Sequence, residues 1–202
     1  MAVWAVIPAK PFLLGKSRLN LPDEQRIAIN RHFLEHVLTC VTSVLPASHV
    51  VLVTRDEAAL TIARRAGARC LLEGAHGDLN AALGEGARFA EDRGAEAVLS
   101  VATDLPDLTA DDLRAMLDAF AGNDVVLAPD EQGTGTNAML MAPNRLPYCH
   151  GENSLWRHLE AAREAKLRFT LVRRDGLSRD VDFPGQWHAP LQLHHPWQRQ
   201  EC

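Results

Sequence analysis

Short apolar runs alternate along the chain with longer stretches whose apolar residues recur every three or four positions. The first run, 2–7, ends at Pro8 and has the length of a buried strand. Residues 9–22 follow no period and read as a loop. From Asp23 to Leu45, Ile27, Leu34, Val37, Leu38, Val41 and Leu45 form one stripe at helical spacing. The alternation then repeats: strand 49–54, helix 56–66 stopped by Gly67, strand 69–72, helix 78–93 stopped by Gly94, strand 97–102. Thr109 opens a helix to about 121, with Asp112 placed as a capping-box partner. Strands at 124–128 and 137–142, a helix capped by Asn153 and running to about 165, and a strand at 167–172 complete the pattern. Apolar runs without polar alternation, separated by helices, predict an α/β fold with a mostly parallel sheet covered on both faces. No repeat or linker divides 1–202, which reads as a single domain. The stretch from about 188 onward has no period and reads as an irregular tail.

Composition excludes several classes of function. The 202 residues are 47% hydrophobic and 23% charged, as in an ordinary soluble globular protein. A net charge of −5 without a basic run argues against nucleic acid as a partner. No apolar run approaches the ~20 residues of a membrane span, and the opening segment lacks the basic and long apolar regions of a secretory signal. Cys40, Cys70, Cys149 and Cys202 are too far apart for a zinc knuckle or redox pair, so free thiols in a reducing cytoplasm are expected. The chain has only three lysines, and two of them, Lys10 and Lys16, lie in the loop after the first strand. Lysine supplies a compact, movable charge that arginine does not.

Ligands of open α/β sheets bind beyond the carboxyl ends of the strands, so the loops there should carry the chemistry. The first, Pro8-Ala9-Lys10 through Gly15-Lys16-Ser17-Arg18, has three cations suited to a polyphosphate. It contains Gly-Lys-Ser, but a P-loop needs glycine where Lys10 stands. The second holds Asp104-Leu105-Pro106, a carboxylate for a hard cation or a helix-entry turn. The third, Gly133-Thr134-Gly135-Thr136-Asn137, suits close approach of an anion or a plain hairpin turn. The fourth pairs Asp180 and Asp182 at i and i+2 on one side of an extended chain. Such a pair needs a positive neighbour, either a divalent ion or Arg174 or Arg179. Gly151-Glu152-Asn153-Ser154 precedes a helix and reads as a cap or an anion holder.

Taken in order, these elements resemble the 2-phospho-L-lactate guanylyltransferase family, which includes phosphoenolpyruvate and 3-phosphoglycerate guanylyltransferases of coenzyme F(420) biosynthesis. The matching positions are Pro8, Lys10, Pro11 with Lys16-Ser17-Arg18-Leu19, then Gly77-Asp78-Leu79-Asn80, then Asp104-Leu105-Pro106. Gly133 to Asn137, Gly151 with Ser154, and Asp180, Asp182 with Pro184 complete the set. Glu152 and Asn153 depart from the small or apolar residues of many relatives, which bears on the acceptor.

The resemblance implies a three-layer αβα sandwich of the nucleotide-diphospho-sugar transferase type, a homodimer, and transfer of GMP from GTP to the phosphate of a small phosphorylated carboxylic acid. It places Asp104, Asp180 and Asp182 on magnesium. Lys10, Lys16 and Arg18, with Pro8 and Ala9, fall on the nucleotide, and Lys10, Lys16, Asp104 and Asp182 become the catalytic set. Asn80 is expected at the base or ribose. Thr136, Asn137, Gly151 and Ser154 are expected at the acceptor. The rival readings are a molybdenum-cofactor-type nucleotidyltransferase, whose opening loop would be rich in glycine, and a non-catalytic nucleotide-binding domain.

Overall fold

A computed structural model describes residues 1–74 and 78–182. Gly77, Pro184 and the expected tail from 188 lie outside the described residues. Seven strands form one sheet: β1 (Val3–Pro8), β2 (Val50–Thr54), β3 (Arg69–Leu72), β4 (Ala97–Val101), β5 (Val125–Pro129), β6 (Thr136–Met141) and β7 (Phe169–Leu171). Their spatial order is β3-β2-β1-β4-β6-β5-β7. All neighbours are parallel except β6, which runs antiparallel to both β4 and β5. The predicted strands appear within a few residues of their expected limits, because unbroken apolar runs leave little doubt that both faces are covered.

The helices are α1 (Asp23–Thr42), α2 (Glu57–Arg65), α3 (Leu79–Glu91), α4 (Ala110–Phe120), α5 (Ser154–Glu164) and a single turn, α6 (Asp175–Ser178). α1 stops before the expected Leu45, because the residue before Pro46 is pushed out of helical conformation. Thr109 and Asp112 form the expected capping box. Asn153 is different: it precedes α5 in the left-handed region and makes no side-chain cap. A single turn of 3-10 helix at Ser17–Leu19 and α6 are too short to leave a period in the sequence.

Alternation along β1 divides the core. Val3, Ala5 and Ile7 face α1, α2 and α4, packing with Leu34, Leu38, Ala63 and Met116. Trp4 and Val6 face the opposite way, against Ala82, Leu83 and Ala87 of α3. Beneath α5, Leu155 and Ala162 pack on Val125, Leu127, Met139 and Met141. The result is the expected three-layer αβα arrangement. Gly86 sets the closeness of α3. A Cβ there would collide with Val6 and sit 3.0 Å from Val53, so only glycine lets this helix lie so near β1 and β2.

The chain moves outward from β1 through β2 to β3, then returns to place β4 on the other side of β1. The carboxyl ends of β1 and β4 therefore flank the switch point where such sheets bind ligands. Because β6 runs backwards, its beginning, Thr136 and Asn137, lies at this same edge.

Candidate active site

The loop after β1 is held by local bonds. Asp56 caps α2 by accepting from Ala58 and Ala59 N–H, and its other oxygen accepts the Phe12 N–H at 2.7 Å. Asn30 of α1 donates to the Phe12 carbonyl at 2.8 Å. Lys16 then takes a left-handed conformation (φ 56°, ψ 32°), uncommon for a residue with a side chain. Its ammonium donates to Asp104 Oδ2 at 2.6 Å and Asp182 Oδ1 at 3.0 Å, with the side chain only 9% exposed. Burial alone would pull the ammonium below the ordinary lysine range. Asp104 and then Asp182 more than reverse this, and it ends above that range.

The loop after β4 and the segment after α6 are joined through the Val181 N–H, which donates to the Asp104 carbonyl at 3.1 Å. This brings oxygens of Asp104, Asp180 and Asp182 within 4.8 Å of one another. Burial, with Asp104 and Asp182 adding, pushes the Asp180 carboxyl above the usual carboxylate range, although the Asn137 amide opposes this. Three hard oxygen donors at this separation fit a divalent ion, whose opposite ligand oxygens lie ~4–5 Å apart. The positive neighbour that the Asp180/Asp182 pair requires is Lys16, supported by Arg18 at 3.9 Å from Asp182. Arg174 and Arg179, the alternatives expected from sequence, are engaged elsewhere, with Asp112 and with Asp175 and Glu131.

Two cavities meet at this cluster. The first, about 400 Å³, is lined by Pro8, Ala9, Lys10, Lys16, Arg18 and Asp104, and extends to Val53 and Glu73. The second, about 760 Å³, reaches Thr136, Asn137, Gly151 and Ser154 from Asp104, Asp180 and Asp182. Both include Pro8, Arg18, Asp104 and Asp182. Ala9, Lys10 and Lys16 line only the first cavity and Thr136, Asn137, Gly151 and Ser154 only the second, while Asp104 and Asp182 border both and Asn80 lines neither. Lys10 is exposed at the first.

Asn80 is engaged with backbone. It donates to the His150 carbonyl at 3.2 Å and accepts the His150 N–H at 2.7 Å, bracing the 149–151 turn against α3. The third loop is a hairpin between β5 and β6. Asp130 folds over it and accepts both the Thr134 N–H and hydroxyl.

His150, His158 and Glu73 escaped sequence reasoning. His158 is fully buried. Its Nε2 accepts the Cys149 N–H at 2.9 Å, so in the neutral ring Nδ1 carries the proton and donates to Thr136 Oγ1 at 3.0 Å. The Thr136 hydroxyl keeps its own proton to donate. Burial, aided by His150 and Arg157, lowers His158 to about 3. Burial likewise lowers His150 to about 4, against the pull of the Thr136 carbonyl. The signal for His158 was present: it shares the apolar face of α5 with Leu155 and Ala162, where a polar residue needs a partner.

A mostly parallel sheet with a cation-rich loop after β1 and a carboxylate cluster at the switch point is the arrangement that the comparisons assign to a nucleotidyltransferase. Comparison with known proteins narrows the class. The chain belongs to the family described as Guanylyl transferase CofC like, whose model matches residues 3–188. It is 36% identical over 204 residues to the phosphoenolpyruvate guanylyltransferase of Sphaerobacter thermophilus, covering 95% of this chain and 96% of that one. It is 30% identical over 186 residues to the 2-phospho-L-lactate guanylyltransferase of Methanothermobacter thermautotrophicus, covering 90% and 81%. Among solved structures, a chain from Desulfovibrio desulfuricans assigned as a nucleotide-diphospho-sugar transferase has the same fold. Its TM-score is 0.72 at 16% identity, over 91% of this chain and 84% of that one. Among the described residues, no helix is long and apolar enough to cross a membrane.

Proposed function

We propose that the chain transfers GMP from GTP to the phosphate of a small phosphorylated carboxylic acid: 2-phospho-L-lactate, phosphoenolpyruvate or 3-phosphoglycerate. Pyrophosphate leaves, and the product serves coenzyme F(420) biosynthesis. The observation that carries this reading is the position of Asp104, Asp180, Asp182 and Lys16 between two adjoining cavities. The cationic loop lining the first cavity supports reading it as the triphosphate site, the second is read as the acid site, and the relatives are named guanylyltransferases of phosphoenolpyruvate and 2-phospho-L-lactate.

An oxygen of the acid's phosphate attacks the α-phosphorus of GTP, forming one P–O bond as the bond to the β-phosphate breaks. That phosphate is already ionised at neutral pH and needs no general base. The demand on the protein is to align two anions and offset their charge. Lys16, Lys10 and Arg18 neutralise the triphosphate and the departing pyrophosphate, while Pro8 and Ala9 shape the loop beneath them. Thr136 donates its hydroxyl to the acid, alongside Asn137, Gly151 and Ser154. Asn80 keeps the 149–151 turn beside the second cavity in place. Asp104, Asp180 and Asp182 would hold magnesium, which when bound supplies a Lewis acid toward the reacting phosphates. The resemblance is also the ground for reading the enzyme as a homodimer, which sedimentation velocity tests, and the widely spaced cysteines are the ground for reading it as cytoplasmic.

Purified protein incubated with GTP, magnesium and each acid in turn should yield a guanylylated acid and pyrophosphate with one of them. Absence of product with every acid overturns the reading.

A further inference from the structure

Glu73 is the first residue after β3, and its N–H donates to the Thr54 carbonyl at 3.1 Å, which fixes it at the carboxyl edge of the sheet. Its side chain lines the first cavity and is 11% exposed. Its ion-pair partner among the described residues, Arg55, stands 3.9 Å away, beyond hydrogen-bonding distance, and its side chain is 42% exposed. Acceptor capacity on the carboxylate is therefore left over. A carboxylate in a cavity that receives a polyanion is repulsive unless it faces a donor at the end away from the phosphates. β3 and β4 are separated by β2 and β1, so Glu73 and Asp104 stand three strand spacings apart, ~14 Å. That leaves room for a nucleoside between them. Val53, Leu79 and Ala82 offer apolar faces to a planar ring.

We infer that Glu73 selects the base: its carboxylate accepts from N1–H and the 2-amino group of guanine. Guanine alone presents two adjacent donors on that edge. Adenine and cytosine present one donor beside an acceptor, and uracil one donor between two acceptors. The inference rests on reading the first cavity as the nucleotide site and names the residue that discriminates within it.

The test measures dissociation constants for GTP, ITP and ATP with magnesium and no acceptor acid, in the wild type, Glu73→Gln and Glu73→Ala. ITP keeps N1–H and lacks only the 2-amino group. The wild type should favour GTP over ITP by about tenfold or more, as expected for a hydrogen bond to a charged group. Glu73→Ala should bring the ratio close to one, with Glu73→Gln between the two. A purely structural pairing with Arg55 would weaken both nucleotides alike and leave the ratio unchanged, which overturns the inference. So does a wild type that does not distinguish GTP from ITP. If Glu73→Ala fails to fold, the isosteric Glu73→Gln carries the same comparison. A wild type that makes no guanylylated acid, yet loses its GTP preference on substitution, sinks the acceptor reading and leaves Glu73 standing. Normal turnover with an unaltered ratio does the reverse.

Discussion

Lys16 and the carboxylates beside it are each stable only in the presence of the other. Removing the Lys16 ammonium leaves three acidic groups within 4.8 Å, and Arg18, beside Asp182, has a side chain 70% exposed. Lys16→Ala should lower the melting temperature in the absence of metal. Magnesium should then raise it more than in the wild type, because the ion fills the same electrostatic role. Equal magnesium shifts in the two proteins, followed by differential scanning fluorimetry, would separate Lys16 from the ion site. The same variant should raise the KM for GTP. Asp104→Asn keeps the shape and removes the charge, and should cut turnover by about 10²-fold or more at saturating magnesium. Lys10, Lys16, Asp104, Asp180 and Asp182 were legible in the sequence because charged residues in loops after strands have few structural reasons to be there. Glu73, by contrast, looks like any polar residue at a strand end until the sheet order places it across the cavity.

At the scale of elements, the segment that delivers Asp180 and Asp182 depends on one turn of helix and its clamp. Asp112, 6% exposed, accepts from Arg174 Nε at 2.6 Å and from the Thr109 hydroxyl at 2.7 Å. Burial alone would raise its pKa, but Arg174 and Thr109 hold it below the usual carboxylate range. Gly176 permits this fit: a Cβ there would run into the Asp112 carboxylate and stand 2.5 Å from the Asp107 carbonyl. Asp112→Ala removes the clamp and the carboxylate half of the capping box of α4, while Thr109 keeps its own cap. Arg174 lies half in solvent, so the expected loss is ~2 kcal/mol rather than the full cost of breaking a buried pair. Urea unfolding measures it, and magnesium affinity should fall too, since the arm carrying two of the three carboxylates loosens. Gly176→Ala should give both effects although it removes no polar group. An undiminished magnesium affinity in both variants would show that the arm positions itself. The capping box of Thr109 and Asp112 was legible beforehand, but the clamp was not, because a pairing of residues 112 and 174 leaves no local trace. The direction of β6 was hidden for a related reason: an apolar run reports burial and not polarity of the chain.

The molecule as a whole should lose stability in mild acid. Unfolded, His150 and His158 take up protons near the ordinary 6.5; folded, they resist until about 4 and about 3. Between those limits the unfolded chain binds more protons, so stability is fully present above about 6.5 and drains away as pH falls toward 4 and 3. The total is on the order of a few kcal/mol. His158→Gln keeps a donor and an acceptor without titrating in this range, and should flatten the slope of melting temperature against pH. An identical slope in that variant would move the acid sensitivity elsewhere. The architecture itself was readable from the alternation of apolar runs and helical stripes, which survives any rearrangement of strand order. The ammonium–carboxylate bond from Lys16 to Asp182 spans most of the chain length and has an effect on the order of assembly. A ribosome exposes Lys16 first and Asp104 much later, and the Asp180–Asp182 pair later still. Until then the nascent chain holds a lysine with one counter-charge in place of two, and an unfinished copy cannot assemble the full set of ligands for an ion.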